Sequence, residues 1–314
     1  MTTTTPPVTA RKPSARGRRR KGRLSEGARA ERRLAYWLCA PAVIVMIAVT
    51  AYPIGYAIYL SLQRYLMSAP QLSKFVGLGN YGAILTSPFW WQALVVTVII
   101  TVVSVAIELV LGMLLALLLW RTLFGRGLVR TTSLIPYGIV TVAAAFSWQY
   151  AWTPSTGYLS AAFGNAAPLT SQVQAIAVII LAEIWKTTPF MALLLMAGLT
   201  LVPEDLLKAA KVDGATAWQR FTRVMLPLMK PAILVALLFR TLDAFRIFDN
   251  IFILTAGTNG TGSVSMLTYD NLFTGLNLGI GSALSVLILI CVAIIAIVFI
   301  RGFGTAAPGT DIRR

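Results

Sequence analysis

The chain has 314 residues, of which 57% are hydrophobic and only 12% charged, with a mean hydropathy of +0.75. Soluble domains carry about a quarter charged residues, so a water-soluble globular fold is excluded. The sequence contains no histidine and no Gly-rich phosphate loop ending in Gly-Lys-Ser/Thr, which removes His-based acid–base chemistry, Ser-His triads, ordinary zinc sites and an ATP site of that type.

The formal charge of +16 is unevenly placed. Eleven of the 27 Lys and Arg fall in "RKPSARGRRRKGRLSEGARAERR", before residue 34. This tract has no apolar period and reads as a disordered arm over 1–33, lying against anionic lipid headgroups. RNA is the lesser reading for such a tail, and no nucleic-acid partner is expected. Membrane lipids are.

Six apolar segments follow in chain order, at 34–62, 92–120, 128–152, 172–200, 226–254 and 279–300. Each is near the length of about 20 residues that a bilayer-crossing helix needs. The fold class is therefore all-α and polytopic, with six transmembrane helices over 34–301 and a short tail over 302–314. The first segment is too long for a cleavable signal and lacks a small-residue cleavage site.

Basic residues orient the chain. The arm, the loop near 121–130, the loop 201–231 and the tail from Arg301 together hold 22 Lys and Arg, whereas the alternate loops hold only Arg64 and Lys74. By the positive-inside rule both termini and the 201–231 loop are cytoplasmic, in a multi-pass protein of the cell membrane. On the outer side, Trp90 and Trp91 read as an interface belt, and "TAGTNGTGSVSMLTYDNLFTGLNLGIG" as a flexible lip or a docking surface.

Charges inside apolar segments are costly, so they face protein or water. Glu108 stands alone in the second segment and reads as an interhelical hydrogen-bond partner ahead of a cavity residue. In the fourth, Glu183 and Lys186 form an i,i+3 pair, with Trp185, Thr187, Pro189 and Phe190 beside them. In the fifth, Arg240, Asp243, Arg246 and Asp249 recur every three residues with alternating sign. On a helix they form a ladder in which each charge neutralises the next. A paired internal strut is favoured over a sugar site, with Asp249 and Asn250 placed to line a path. Aromatic and amide groups of this kind also suit a sugar, as do Tyr137, Trp148 and Tyr150.

The 204–227 segment stands out among the loops. Pro203, Glu204 and Asp205 form a helix start, with acids at the positive end of the dipole. Glu204 and Lys208 stand i,i+4 in the favourable order. Leu207, Ala210, Gly214, Ala217 and Phe221 make one apolar stripe, and Gly214 permits a turn or a close backbone approach. Either the helix rests on the inner leaflet, or it inserts into a cleft of a soluble partner; the small residues favour the partner.

"KAAKVDGATAWQRFTRVMLP" resembles the EAA loop of binding-protein-dependent ABC importer permeases: E-A-A, three residues, G, nine residues, I-x-L-P. Ala209, Ala210, Gly214, Leu226 and Pro227 match in register; Val224 replaces the Ile, and Lys208 stands at the Glu position, with Glu204 one turn earlier. "FVGLGNY", "LIPYGIVTVAAAFSW", "EIWKTTPFMALLLMAGLTLVPEDL" and "RTLDAFRIFDNIFILTAGTNGTGS" are similar to the sugar-permease branch of that family. The resemblance implies the transmembrane domain of a type I ABC importer, in which Glu204, Asp205, Lys208, Ala209, Ala210, Asp213, Gly214, Leu226 and Pro227 form a coupling segment on an ATPase. It further implies a second permease subunit, an ATPase dimer carrying ATP and magnesium, and an outer sugar-binding lipoprotein. This chain would bind no cofactor or metal, catalyse no reaction and pass a disaccharide, trehalose being the expected one. An ion-coupled secondary sugar transporter is the alternative, with the 240–249 charges as its relay.

Overall fold

The computed structural model describes residues 26–121 and 126–303. The chain falls into two units, the first ending at Ile54 and the second beginning at Gly55, and the site lies wholly in the second. Helix α1 (Glu26–Ser61) begins inside the tract expected as an irregular arm; residues 1–25 and 304–314 lie outside the described residues.

After α1, β1 (Gln63–Arg64) pairs antiparallel with β2 (Lys74–Phe75), and α2 (Gly79–Leu85) follows. Asn80 holds this corner, its Nδ2 donating to the carbonyls of Ser61 and Gln63 at 2.8 Å each. Helix α3 (Pro88–Arg121) then starts with the tryptophan pair. Successive helical residues point about 100° apart. Trp90 is accordingly buried against Ile84, Phe245 and Leu284, and only Trp91 is exposed, so the expected interface belt holds for one of the two.

The apolar segment 128–152 is two helices, α4 (Arg126–Gly138) and α5 (Thr141–Ala151), rather than one. Pro136 and Gly138 weaken the junction, and Val140 is extended with ψ 132. A short α6 (Tyr158–Ala162) leads to α7 (Gln172–Leu199), which runs through Pro189 without ending. The loop beyond it contains α8 (Glu204–Val212) and α9 (Ala217–Arg220).

The segment 226–254 also departs from the expected single span. Helix α10 (Leu226–Ala244) stops, residues 245–248 turn, and α11 (Asp249–Leu254) restarts. Ser263 Oγ donates to the Ile247 carbonyl at 2.9 Å, which satisfies a backbone group freed by that break. The 255–281 stretch is folded around α12 (Val264–Tyr269), and α13 (Leu278–Phe303) completes the chain. Five described helices are long and apolar enough to cross a bilayer: Leu34–Ser61, Pro88–Trp120, Gln172–Leu199, Ala217–Ala244 and Leu278–Gly302.

Helices α3 and α7 pack against each other and α10 packs against both. Small residues set the spacing, as lipid-embedded helix contacts require. A Cβ on Gly112 of α3 would stand 2.7 Å from Met191 Cγ of α7, and one on Gly198 of α7 would stand 2.5 Å from Ala232 Cβ of α10. Met191, Leu195, Met229 and Ala236 fill the core between them.

Candidate functional site

The 204–227 segment is a helix–turn–helix. Glu204 and Asp205 occupy the first turn of α8, and both approach Lys208 Nζ to 3.5 Å on an exposed surface. The helix ends in a Schellman motif: Ala215 N–H donates to the Ala210 carbonyl at 2.9 Å and Gly214 N–H to that of Lys211 at 3.2 Å. Gly214 sits at φ +78 in the left-handed region, with nothing within 4 Å of where a Cβ would stand. Of the two roles its sequence allowed, the turn is the one realised within this chain.

The expected continuous stripe is therefore split. Leu207 and Phe221 pack on the core, Ala210 is half-buried, and Ala209, Asp213, Gly214 and Ala217 are exposed. Thr216 restarts the helix with a capping box, accepting from Gln219 N–H at 3.3 Å while its own N–H donates to Gln219 Oε1 at 2.8 Å. Residues Phe221–Met225 then form a π-helical turn, in which Leu226 N–H reaches back five residues to the Phe221 carbonyl. Pro227, lacking an N–H, follows directly, and its ring would clash with an α-helical carbonyl four residues earlier. The Leu226-Pro227 step thus joins the segment to α10 through a wound but irregular turn.

The charges within the helix bundle assemble differently from the ladder read along α10. That helix ends at Ala244, so Arg246 and Asp249 leave its face. Among the described residues neither has an ion-pair partner, and Arg246 is exposed. Arg240 and Asp243 do pair, through Nη1 and Oδ2. Arg240 is fully buried and turns mainly to other helices. Its Nε donates to Glu108 Oε2 at 2.7 Å and its Nη2 to Glu108 Oε1 at 2.9 Å, a two-point bond across α10 and α3. The same Nη2 lies 3.3 Å from Glu183 Oε1 and 3.1 Å from Thr187 Oγ1, both on α7.

Thr187 Oγ1 stands 2.8 Å from Glu108 Oε1 and 2.6 Å from the Glu183 carbonyl. The remaining Glu183 oxygen accepts from Asn250 Nδ2 of α11 at 2.7 Å. Four helices are tied together at one buried point. Glu108 thus takes the interhelical role its isolation suggested. Glu183 does not pair with Lys186, because its two oxygens are taken by Arg240 and Asn250; Lys186 Nζ lies instead 5.8 Å from the Tyr137 ring centroid.

The family comparison covers all of this machinery. Residues 76–305 match the family of binding-protein-dependent transport system inner membrane components. The chain belongs to that family. Over 283 residues it is 65% identical to the trehalose transport system permease protein SugA of Mycobacterium tuberculosis, covering 90% of this chain and 92% of that one. It is 38% identical over 278 residues to the trehalose/maltose transport system permease protein MalF of Thermococcus litoralis, covering 86% and 94%. Among solved structures, a bacterial ABC transporter that imports the acidic polysaccharide alginate superposes with a TM-score of 0.77 at 22% identity, over 88% of this chain and 97% of that one, which shows the shared fold.

In this inner membrane component, aromatic pairs flank the charge cluster. Trp185 meets Trp148 edge to face at 6.1 Å, and Phe190 stacks on Tyr137 at 5.1 Å. A second group went unread in the sequence: Phe248, Phe252, Tyr269 and Phe273, with neighbouring centroids 4.9–5.2 Å apart. Its signal was there in two i,i+4 aromatic pairs. What brings the pairs together is the break at 245–248, which apolar patterning does not announce.

Proposed function

We propose that this chain is one of two permease subunits in an ATP-driven importer for trehalose or a closely similar disaccharide. Within it, residues 1–33 form the cytoplasmic arm, 34–301 the transmembrane domain and 302–314 the tail. Both termini and the 204–227 segment face the cytoplasm, and α4 with α5 makes one of six crossings. An ATPase dimer binds ATP and magnesium, and a sugar-binding lipoprotein delivers cargo from outside. This chain holds no cofactor and performs no chemical step.

One observation carries the mechanism: the exposed helix–turn–helix is continuous, through the π-turn, with the helix whose Arg240 binds α3 and α7. Glu204, Asp205, Lys208, Ala209, Ala210 and Asp213 form the surface that the ATPase seats, and Gly214 and Leu226-Pro227 set its angle. A push on α8 passes along α10 into the charge cluster. Asn250 and Glu183 sit at that cluster, with Trp185, Lys186 and Phe190 along the adjoining face of α7; Asp249 and Arg246 border the break. These residues line the sugar path, which opens alternately to either side. The 65% identity to a trehalose permease supports the choice of sugar.

The test is uptake of labelled trehalose by proteoliposomes holding the two permeases, the ATPase and the lipoprotein. ATP-dependent accumulation that other disaccharides compete with weakly is expected. Uptake driven by an ion gradient with the ATPase omitted would replace this reading with a secondary transporter.

A further inference from the structure

A cavity of about 1110 Å³ opens between the second half of α3 and the coupling segment, at the lower edge of a transmembrane helix. Its volume exceeds the roughly 300–1,000 Å³ of ordinary small-molecule pockets. One wall is apolar and belongs to the Pro88–Trp120 span, including Val110, Leu114 and Leu117; the opposite wall has Trp218 and Phe221. The polar side chains are gathered at the α8–α9 end. They are Lys208, Lys211, Arg220 and Glu204, a net excess of two positive charges.

We infer that this cavity holds an anionic phospholipid of the inner leaflet, its chains along α3 and its headgroup against Lys211 and Arg220. The inference rests on the cytoplasmic placement of the coupling segment proposed above. The partition of the lining is that of a lipid: an apolar wall continuous with a span, then cations where headgroups lie, with Trp120 and Trp218 at the boundary. A helix from a second subunit would match the apolar wall but not call for a cationic rim. Lys211 and Trp218 are exposed, and Lys208 is neutralised by Glu204 and Asp205 at 3.5 Å each, so Lys211 and Arg220 are the cations the rim presents to the groove. A lipid seated there would set the angle between the coupling segment and α3.

The experiment uses the reconstituted importer in nanodiscs of phosphatidylcholine with a small fraction of lipid carrying brominated chains, either phosphatidylglycerol or phosphatidylcholine. Bromine quenches nearby indoles, and comparison with Trp218→Phe isolates the Trp218 signal from the other seven tryptophans. Quenching at Trp218 should favour the anionic lipid by a factor on the order of tenfold, and Lys211→Gln/Arg220→Gln, which removes the net charge of the rim, should abolish that preference. Equal quenching by both lipids, or a preference that survives in the double variant, overturns the proposal. Quenching by neither also overturns it and means that protein covers the groove, from the second permease or from the basic arm. Co-purification of the ATPase in the same preparation decides the importer reading independently of the quenching.

Discussion

Arg240 and Glu108 lie 132 residues apart in sequence and meet in a two-point bond, at 2.7 and 2.9 Å, with both side chains fully buried. Without Arg240, Glu108 would be an uncompensated buried charge; without Glu108, Arg240 would keep only Glu183 at 3.3 Å and the exposed Asp243. Removing one partner of a buried pair costs about 3–5 kcal/mol, because the survivor keeps its desolvation penalty. Glu108→Ala should therefore sharply lower the temperature at which the purified protein loses its monodisperse peak. Asp243, 62% exposed at its side chain, is the weaker partner of Arg240. Asp243→Ala should shift that temperature little, by the equivalent of about 1 kcal/mol or less. Equal losses in the two variants would contradict the assignment of Glu108 as the principal partner.

Asn250 contributes to the same cluster through one bond, from Nδ2 to Glu183 Oε2 at 2.7 Å. Asn250→Ala leaves a buried carboxylate oxygen short of a donor, a loss of about 1–3 kcal/mol. Asn250→Asp adds a like charge beside Glu183 and should be worse than alanine. Thermal stability of the two variants, ranked against wild type, checks the order.

The close approach of α7 to α10 gives a test by rescue. Gly198→Ala places a Cβ 2.5 Å from Ala232 Cβ, so the helices must part, at about 1–3 kcal/mol. Ala232→Gly in the same chain removes the obstructing atom. The double variant should recover most of the thermal stability lost by the single one, and failure to recover would place the strain elsewhere.

Gly214 tests the coupling role proposed for the 204–227 segment. Its φ of +78 suits glycine, and asparagine tolerates that region better than other residues. Gly214→Val should strain the turn by about 1–2 kcal/mol and loosen the ATPase, whereas Gly214→Asn should retain it. Both variants should insert normally, because nothing lies within 4 Å of the new side chain's root. The readout is the amount of ATPase that co-purifies, and normal recovery with valine would remove the turn from the coupling mechanism.

Much of this protein follows from local pattern. Long apolar runs, the acids at Glu204 and Asp205, and the Gly214 and Leu226-Pro227 steps all act on residues near in sequence. Such effects read out without a partner: backbone groups must be satisfied within a span, and a left-handed turn needs its glycine. These features sufficed for the helical class, the turn within the 204–227 segment and the family resemblance.

The partners of buried charges were decided only by the tertiary structure. Periodicity paired Arg240 with Asp243, which holds; it also continued the ladder to Arg246 and Asp249 and paired Glu183 with Lys186, neither of which holds. Folding instead ended α10 at Ala244 and brought Glu108 and Glu183 to the guanidinium from two other helices. The physical reason is that a buried cation takes whichever carboxylates the packing delivers within hydrogen-bond distance, and that packing is set by contacts such as Gly198 against Ala232. Sequence spacing along one helix carries no record of it.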